Sequence, residues 1–318
     1  MSGDDEQWND SNRAFLQALM ARSTLTLDEA KPLLAAIQTT YERRETIAED
    51  ITEADLNAHI AAANTRISPF DFEIRSTYHQ TTRKRVYALV NSSSDPIIQL
   101  ATIHTAEEIS FLKRVLDAMF ETYNTSRNEV MAITSMQAVR LHKAPDRGRR
   151  DTQDGAATQG STAQGLKMIE AEKMLRTLVD EGWFETSNKG YYTLSPRALM
   201  ELRGWLIETY NDVDDDDDDD GERPPRIKQC VACKEIVTVG QRCSKRSCHC
   251  RLHDICVQNF FRMQRSNGCP VCKTEWTGDS FVGERAAPRR SGAGSNANTS
   301  RITVDDPDQN NDPDEIDR

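Results

Sequence analysis

No apolar run in the 318 residues approaches the roughly 20 that a membrane-spanning helix needs. No apolar leader opens the chain either, which begins MSGDDEQWNDSNR. These two absences predict a soluble, intracellular protein. Aromatic residues make up only 6% and hydrophobic residues 37% of the chain, too little for one uniform globule of this length, so several small cores joined by solvated connectors are expected. Cysteine is missing from the first 229 residues, and all eight cysteines fall between 230 and 272. A secreted chain stapled by disulfides spreads its cysteines over the fold, so this clustering points to metal. Positive charge is short as well, with a net charge of −11, which looks unfavourable for nucleic acid. The acid is uneven, however. Asp214 to Asp220 is an unbroken aspartate run and the tail ends DDPDQNNDPDEIDR, while the remainder is mixed in sign and locally basic, which leaves DNA contact open.

Three polar stretches divide the chain. Residues 143–165 have no aliphatic residue larger than alanine and read as a flexible linker or loop. Residues 211–226 carry the aspartate run and a Pro-Pro pair, and read as an extended acidic linker. Residues 287–318 read as a disordered tail. Between them lie segments 8–142, 166–210 and 227–286.

In the first segment, Phe15, Leu16, Leu19 and Met20 share one helical face, Thr26 and Glu29 form a capping box, and Thr52 with Asp55 opens a third helix. FEIRSTYHQ and RVYALVN then read as a β-hairpin about TTRK. Three helices followed by a hairpin is the order of a winged helix. A further helix starts at the capping box Thr105–Glu108 and carries the stripe Ile109, Leu112, Leu116, Met119, Phe120 and Tyr123, which should pack on a core or a partner. Segment 166–210 repeats the pattern: a helix ending near Gly182, two short strands about Asn-Lys-Gly, and a closing helix begun by Ser195 and Pro196 that runs through Tyr210. The expected class is α+β, with tandem winged-helix domains at 8–142 and 166–210 ahead of a zinc domain at 227–286.

The metal ligands come in four pairs: Cys230 with Cys233, Cys243 with Cys248, His253 with Cys256, and Cys269 with Cys272. A tetrahedral zinc ion takes two such pairs, so four pairs make two structural zinc sites, sequential or interleaved. The 9-residue and 12-residue spacers on either side of a compact middle favour interleaving. Site one is then Cys230, Cys233, His253 and Cys256; site two is Cys243, Cys248, Cys269 and Cys272. Neither leaves a coordination position open, and zinc binding would supply the folding free energy of this stretch. His249 and Cys250 are left over, and either can replace Cys248. His59, His79, His104 and His142 are scattered and read as ordinary structural or surface histidines.

The ligand order C4HC3, closing in CPVCKTEW, resembles a variant RING finger. The PHD finger shares that order but places a tryptophan two residues before the seventh ligand, where this chain has Asn267. Together with the helical body, "GQRCSKRSCHCRLHDIC" and "CPVCKTEWTGDSFVGE" resemble the non-SMC element 1 family, RING subunits of the structural maintenance of chromosomes 5-6 complex, with a close fit to fungal members. The resemblance implies a cross-brace RING with Cys250 a spare thiol, docking of a MAGE-type subunit, contact with a kleisin subunit, nuclear residence, and a role in DNA repair and recombination. It further implies a RING-type E3 ubiquitin ligase that orients E2-ubiquitin without a nucleophile of its own.

The implied E2-binding groove uses Val231, Ala232, Phe260 or Phe261, Pro270 and Lys273. Alanine at 232 removes methylenes worth about 0.8 kcal/mol each from a small interface. Lys273 stands where an arginine would make a forked contact to E2 and ubiquitin. Activity is therefore expected to be weak without the partner. The rival expectation is a non-catalytic scaffold, with Phe260 and Phe261 as core residues and with DNA contact through Arg83, Lys84 and Arg85 at the hairpin tip.

Overall fold

The computed structural model describes residues 8–41, 43, 45–92, 103–143, 165–211 and 225–288. The aspartate run and the bulk of the three polar stretches lie outside the described residues.

Local capping sets the helix starts. The Asn9 side chain accepts from the Asn12 N–H and opens α1 (Asp10–Met20). After the short strand β1 (Leu25–Thr26), Thr26 and Glu29 exchange hydrogen bonds at the head of α2 (Leu27–Tyr41). Thr52 and Asp55 form a capping box on α3 (Glu53–Ile67). Phe15 and Leu19, one turn apart, are fully buried with Leu34, Leu56 and Ala63, while Met20 is 64% exposed, so the apolar stripe on α1 is narrower than its sequence suggests. Each of these large apolar side chains contributes about 1.5–3 kcal/mol on burial.

The hairpin of β2 (Phe72–Tyr78) and β3 (Arg85–Asn91) joins β1 in a sheet ordered β1-β3-β2. Strand β3 is covered on both faces, following its period of two: Tyr87 and Leu89 pack on the helices, while Ala88 and Val90 pack on Met200 from a later helix.

The same order of elements then recurs. Helix α4 (Ala106–Asp117) starts at the Thr105–Glu108 capping box and continues through one π turn to Thr122. It is followed by β4 (Ile133–Thr134), α5 (Ser135–Arg140), α6 (Met168–Asp180), and a hairpin of β5 (Phe184–Thr186) and β6 (Tyr191–Leu194). This sheet is ordered β4-β6-β5, with Ile133 opposite Tyr192. That pairing corrects the expected boundaries. Residues 103–142 do not belong to the first segment: β4 closes the sheet of the hairpin at 184–194, and the α4 stripe packs with Ala171, Leu175 and Leu178 of α6. The break at 143–165 thus falls inside the second repeat, because strand partners lie on either side of it.

Ser195 caps α7 (Pro196–Glu201) as expected, but the closing helix is interrupted at Leu202 before α8 (Arg203–Asn211). Gly182 ends α6 at φ +76°, where an added Cβ would sit 2.2 Å from the Ser23 Cβ of the first repeat.

The last segment holds the sheet β8-β7-β9, from β7 (Gly240–Arg242), β8 (Arg251–Leu252) and β9 (Phe281–Val282), with one helix, α9 (Asp254–Gln264). It shares a core with the second repeat: Ile227, Ile236, Val237, Leu252 and Val282 are buried in one cluster with Phe111, Phe120 and Leu206.

Candidate metal centres

Two reverse turns with one construction hold half of the ligands. In Cys230–Glu235, the Cys230 N–H donates to the Glu235 carbonyl (2.8 Å) and the Lys234 N–H donates back to the Cys230 carbonyl (2.9 Å). In Cys269–Thr274, the Cys269 N–H donates to Thr274 (2.8 Å) and the Lys273 N–H to Cys269 (2.9 Å). Each turn closes through a left-handed lysine, Lys234 at φ +66° and Lys273 at φ +61°. That conformation costs a residue with a Cβ roughly 1–2 kcal/mol. Each turn places both sulfurs of its pair in the same cluster.

The eight ligand atoms fall into two groups, Cys230, Cys233, His253 and Cys256 in one and Cys243, Cys248, Cys269 and Cys272 in the other, with the atoms of each group within 4.8 Å of one another. The first and third pairs share a site, as do the second and fourth. Within the groups, Cys243 and Cys272 Sγ are 3.4 Å apart, Cys248 and Cys269 Sγ 3.6 Å, and Cys233 Sγ is 3.3 Å from His253 Nδ1. Tetrahedral zinc about 2.3 Å from each sulfur separates its ligands by roughly 3.8 Å, so both clusters fit zinc.

His253 is aimed at the first cluster. His253 Nε2 lies 3.1 Å from the Ile236 carbonyl and donates to it, which leaves the Nδ1 lone pair facing the thiols. The Cys233 and Cys256 side chains pull the Cys230 thiol down, whereas burial pushes the Cys243 and Cys248 thiols up. The Thr274 hydroxyl and amide pull the Cys272 thiol down to about 6.

Cys250 belongs to neither group. It is buried against Cys243, Cys248 and Cys269, and burial followed by the neighbouring Cys269 pushes its thiol up. His249 is exposed. The four scattered histidines take structural partners: Asn12 for His59, Glu185 for His79, Glu181 for His104 and the Leu166 carbonyl for His142.

The remaining site residues spread over two environments. Ala232 and Lys273 are exposed on the two turns, Pro270 is half-buried, and Lys273 Nζ donates to the Pro270 carbonyl (3.1 Å). Val271, which the sequence did not single out, is 60% exposed beside them. Val231, Phe260 and Phe261 are half-buried and pack against the large shared core, with the Phe261 ring 5.4 Å from Trp276. At the first hairpin tip, Lys84 pairs with Asp28 and Arg85 with Glu53, and the exposed Arg83 lines the cleft there.

The contacts that seat this segment on the body went unread in the sequence. Gln80, at the first hairpin tip, donates to the Ile236 carbonyl (2.9 Å) and accepts from the Thr238 and Val239 N–H groups (3.1 and 2.8 Å). Lys189 of the second hairpin pairs with Glu284 (3.0 Å). Glu129 is 2% exposed and meets Arg251, Lys228 and Arg242.

Comparison with known proteins agrees with this geometry. A RING-like domain model matches residues 230–272. The chain is 23% identical over 270 residues to the human non-structural maintenance of chromosomes element 1 homolog, covering 84% of each protein. It is 22% identical over 275 residues to non-structural maintenance of chromosomes element 1 of Schizosaccharomyces pombe, covering 86% of this chain and 95% of that one. A chain in the solved structure of an Nse1-Nse3-Nse4 complex superposes with a TM-score of 0.62 at 22% identity, over 85% of this chain and 97% of that chain. A second family model matches residues 12–202, more than half of the chain, and the protein therefore belongs to the family described as the Nse1 non-SMC component of the SMC5-6 complex.

Proposed function

We propose that this chain is a RING-type E3 ubiquitin ligase subunit of an SMC5-6-type complex, acting in the nucleus in DNA repair and recombination beside a MAGE-type and a kleisin subunit. The observation that carries the reading is the pair of closed, interleaved Cys/His clusters with Ala232, Pro270, Val271 and Lys273 presented on the turns around them. Such a surface performs no bond-making. It holds E2-ubiquitin in a reactive orientation, so ubiquitin passes directly to the substrate amine. The chain of like fold was solved within a complex of Nse1, Nse3 and Nse4, and that assembly of three proteins supports the partner assignment. The repeated element order, with each hairpin's second strand pairing to the short first strand, supports two winged helices.

Cys250 is not a carrier of ubiquitin. Its side chain is 1% exposed, and burial disfavours the thiolate that a covalent step requires. The test is ubiquitin discharge from E2 with the MAGE-type partner present. Lys273→Ala should lower the rate, Lys273→Arg should keep or raise it, and Cys250→Ser should leave it unchanged. No discharge from any E2 would move the protein to the scaffold class.

That second reading rests on how the zinc segment is seated on the body. Phe260 and Phe261 pack against the core shared with the body, and Gln80 and Glu129 fasten the zinc segment to both repeats. A zinc-stabilised surface held this firmly suits a scaffold joining two subunits as well as a ligase that must keep one orientation.

A further inference from the structure

One buried charged group that grips the zinc segment does not come from it. Glu129 lies in the loop between α4 and β4, in the second repeat, and points into the zinc segment. There it meets the Arg251 guanidinium in two parallel bonds, Nε to Oε2 at 2.6 Å and Nη2 to Oε1 at 2.5 Å. Arg251 is 1% exposed. Its remaining nitrogen, Nη1, donates to the Cys248 carbonyl (2.8 Å) and the Cys250 carbonyl (2.7 Å). The guanidinium thus spans from a carboxylate of the body to the backbone of the turn that carries a ligand of site two. Arg242, the residue before ligand Cys243, repeats the arrangement: Nη1 donates to the Ser126 carbonyl (3.0 Å) and stands 3.5 Å from Glu129. The Gly283 N–H donates to the Glu129 carbonyl (2.8 Å), so the loop is gripped by backbone as well.

We propose that Glu129 is a positioning residue of the second zinc site, acting through Arg251, so that zinc retention by Cys243, Cys248, Cys269 and Cys272 depends on the helical body. The inference rests on both clusters holding zinc. A buried guanidinium aimed at two carbonyls keeps its place only while its charge is matched, and Glu129 supplies the match in fork geometry. Without it, Arg251 is a buried cation in contact with backbone dipoles alone. The segment relieves that by turning the side chain toward water, which releases the Cys248 and Cys250 carbonyls and loosens the turn that aims the Cys248 sulfur. Groups that orient metal ligands from outside the coordination sphere typically change metal affinity 10–100-fold when removed. Site one has a separate support, the His253 Nε2 bond to the Ile236 carbonyl, which this chain of contacts leaves intact.

The experiment follows zinc release from the full chain into a chromophoric pyridylazo chelator. Wild type should release two zinc ions per chain slowly. In Glu129→Gln one of the two should leave about 10–100-fold faster and the other at the wild-type rate. Cobalt substitution identifies the fast one, since an all-thiolate site and a site with one imidazole differ in their visible bands. Both ions leaving at wild-type rates, or both accelerated equally, would overturn the proposal. If Glu129→Gln does not fold, the double variant Glu129→Leu with Arg251→Met removes both charges and keeps the volume, a change that buried ion pairs often tolerate. Its melting temperature should return towards wild type while the all-thiolate site still releases quickly, because nothing donates to the Cys248 and Cys250 carbonyls. Slow release restored together with stability would assign Glu129 a purely structural part and refute the positioning role.

Discussion

Gln80 offers a direct measure of how the first hairpin holds the zinc segment. Its amide satisfies three backbone groups at once: it accepts from the Thr238 and Val239 N–H groups and donates to the Ile236 carbonyl, which is shared with His253 Nε2. Thr238 is 4% and Ile236 2% exposed, so water does not replace the lost partner freely. In Gln80→Ala the Ile236 carbonyl keeps the histidine, but two amides, of the buried Thr238 and the half-buried Val239, lose their acceptor. At about 1–3 kcal/mol for each buried group left unsatisfied, and allowing partial hydration from the adjoining cleft, the loss should be about 2–4 kcal/mol. Gln80→Met retains the stem and removes only the hydrogen bonds, so it should cost nearly as much. Urea unfolding gives the stability, and native-state amide exchange locates the loss. Thr238 and Val239 should exchange at least roughly 30-fold faster, since each 1.4 kcal/mol is a factor of ten. Unchanged protection of these two amides in Gln80→Met would show that packing, and not the amide, carries the contact.

Gly182→Ala should cost about 2 kcal/mol or more in thermal unfolding, because φ is +76° and the new Cβ would sit 2.2 Å from the Ser23 Cβ; Ser23→Gly in the same chain should recover the steric part and leave the backbone part. Burial pushes the Glu129 carboxyl up, but hydrogen bonds and charge from Arg251, with Lys228, hold it down at about 2. Because its folded value lies below its ordinary 4.5, the stability it contributes is full above about pH 4.5 and disappears as pH falls towards 2; the difference between wild type and Glu129→Gln should shrink over that window by about 3 kcal/mol. Elemental analysis should return two zinc ions per chain, and one ion would contradict the two clusters.

How much of this was legible in sequence depended on the range of the interaction. The ligand grouping was, because four closely spaced Cys/His pairs and a compact middle leave few ways to enclose two ions. The capping boxes at Thr52 and Thr105 were too, since each satisfies donors within three residues. The boundary at 142 was misplaced because a two-residue strand such as Ile133–Thr134 has almost no periodicity to read, and only its pairing with Tyr191 and Tyr192 reveals which repeat it serves. Glu129 and Gln80 carry no local mark at all. A glutamate in SRNEVMA and a glutamine in YHQTTRK look like surface residues, and their partners lie 99 to 159 positions away. Arg251 was the nearest to a signal, an arginine pressed between a spare cysteine and a buried leucine inside the ligand segment.

The charge count around Glu129 links the body to the metal from the opposite direction. Lys228, Arg242 and Arg251 all face this one carboxylate, and all three sit within the zinc segment. Three cations against one anion would leave a surplus of positive charge in a buried place, which proteins rarely tolerate. Site two resolves it. Four thiolates around a divalent ion carry a net double negative charge, set immediately beside Arg242 and beneath the carbonyls that Arg251 holds. With the metal in place the group is neutral as a whole; with the thiols protonated and the metal gone, two cations have no counter-charge. Support of zinc by the body and support of the body by zinc are then one coupling free energy seen from two ends. Removing zinc with a chelator should therefore do more than unfold residues 230–272. Amide exchange should rise in the 124–131 loop, where the Val130 N–H bonds Tyr123 and the Asn124 side chain holds the Arg226 carbonyl, while α1–α3 of the first repeat stay protected. Protection of 124–131 that survives complete zinc removal would mean that the body balances these charges unaided, and the coupling would be absent.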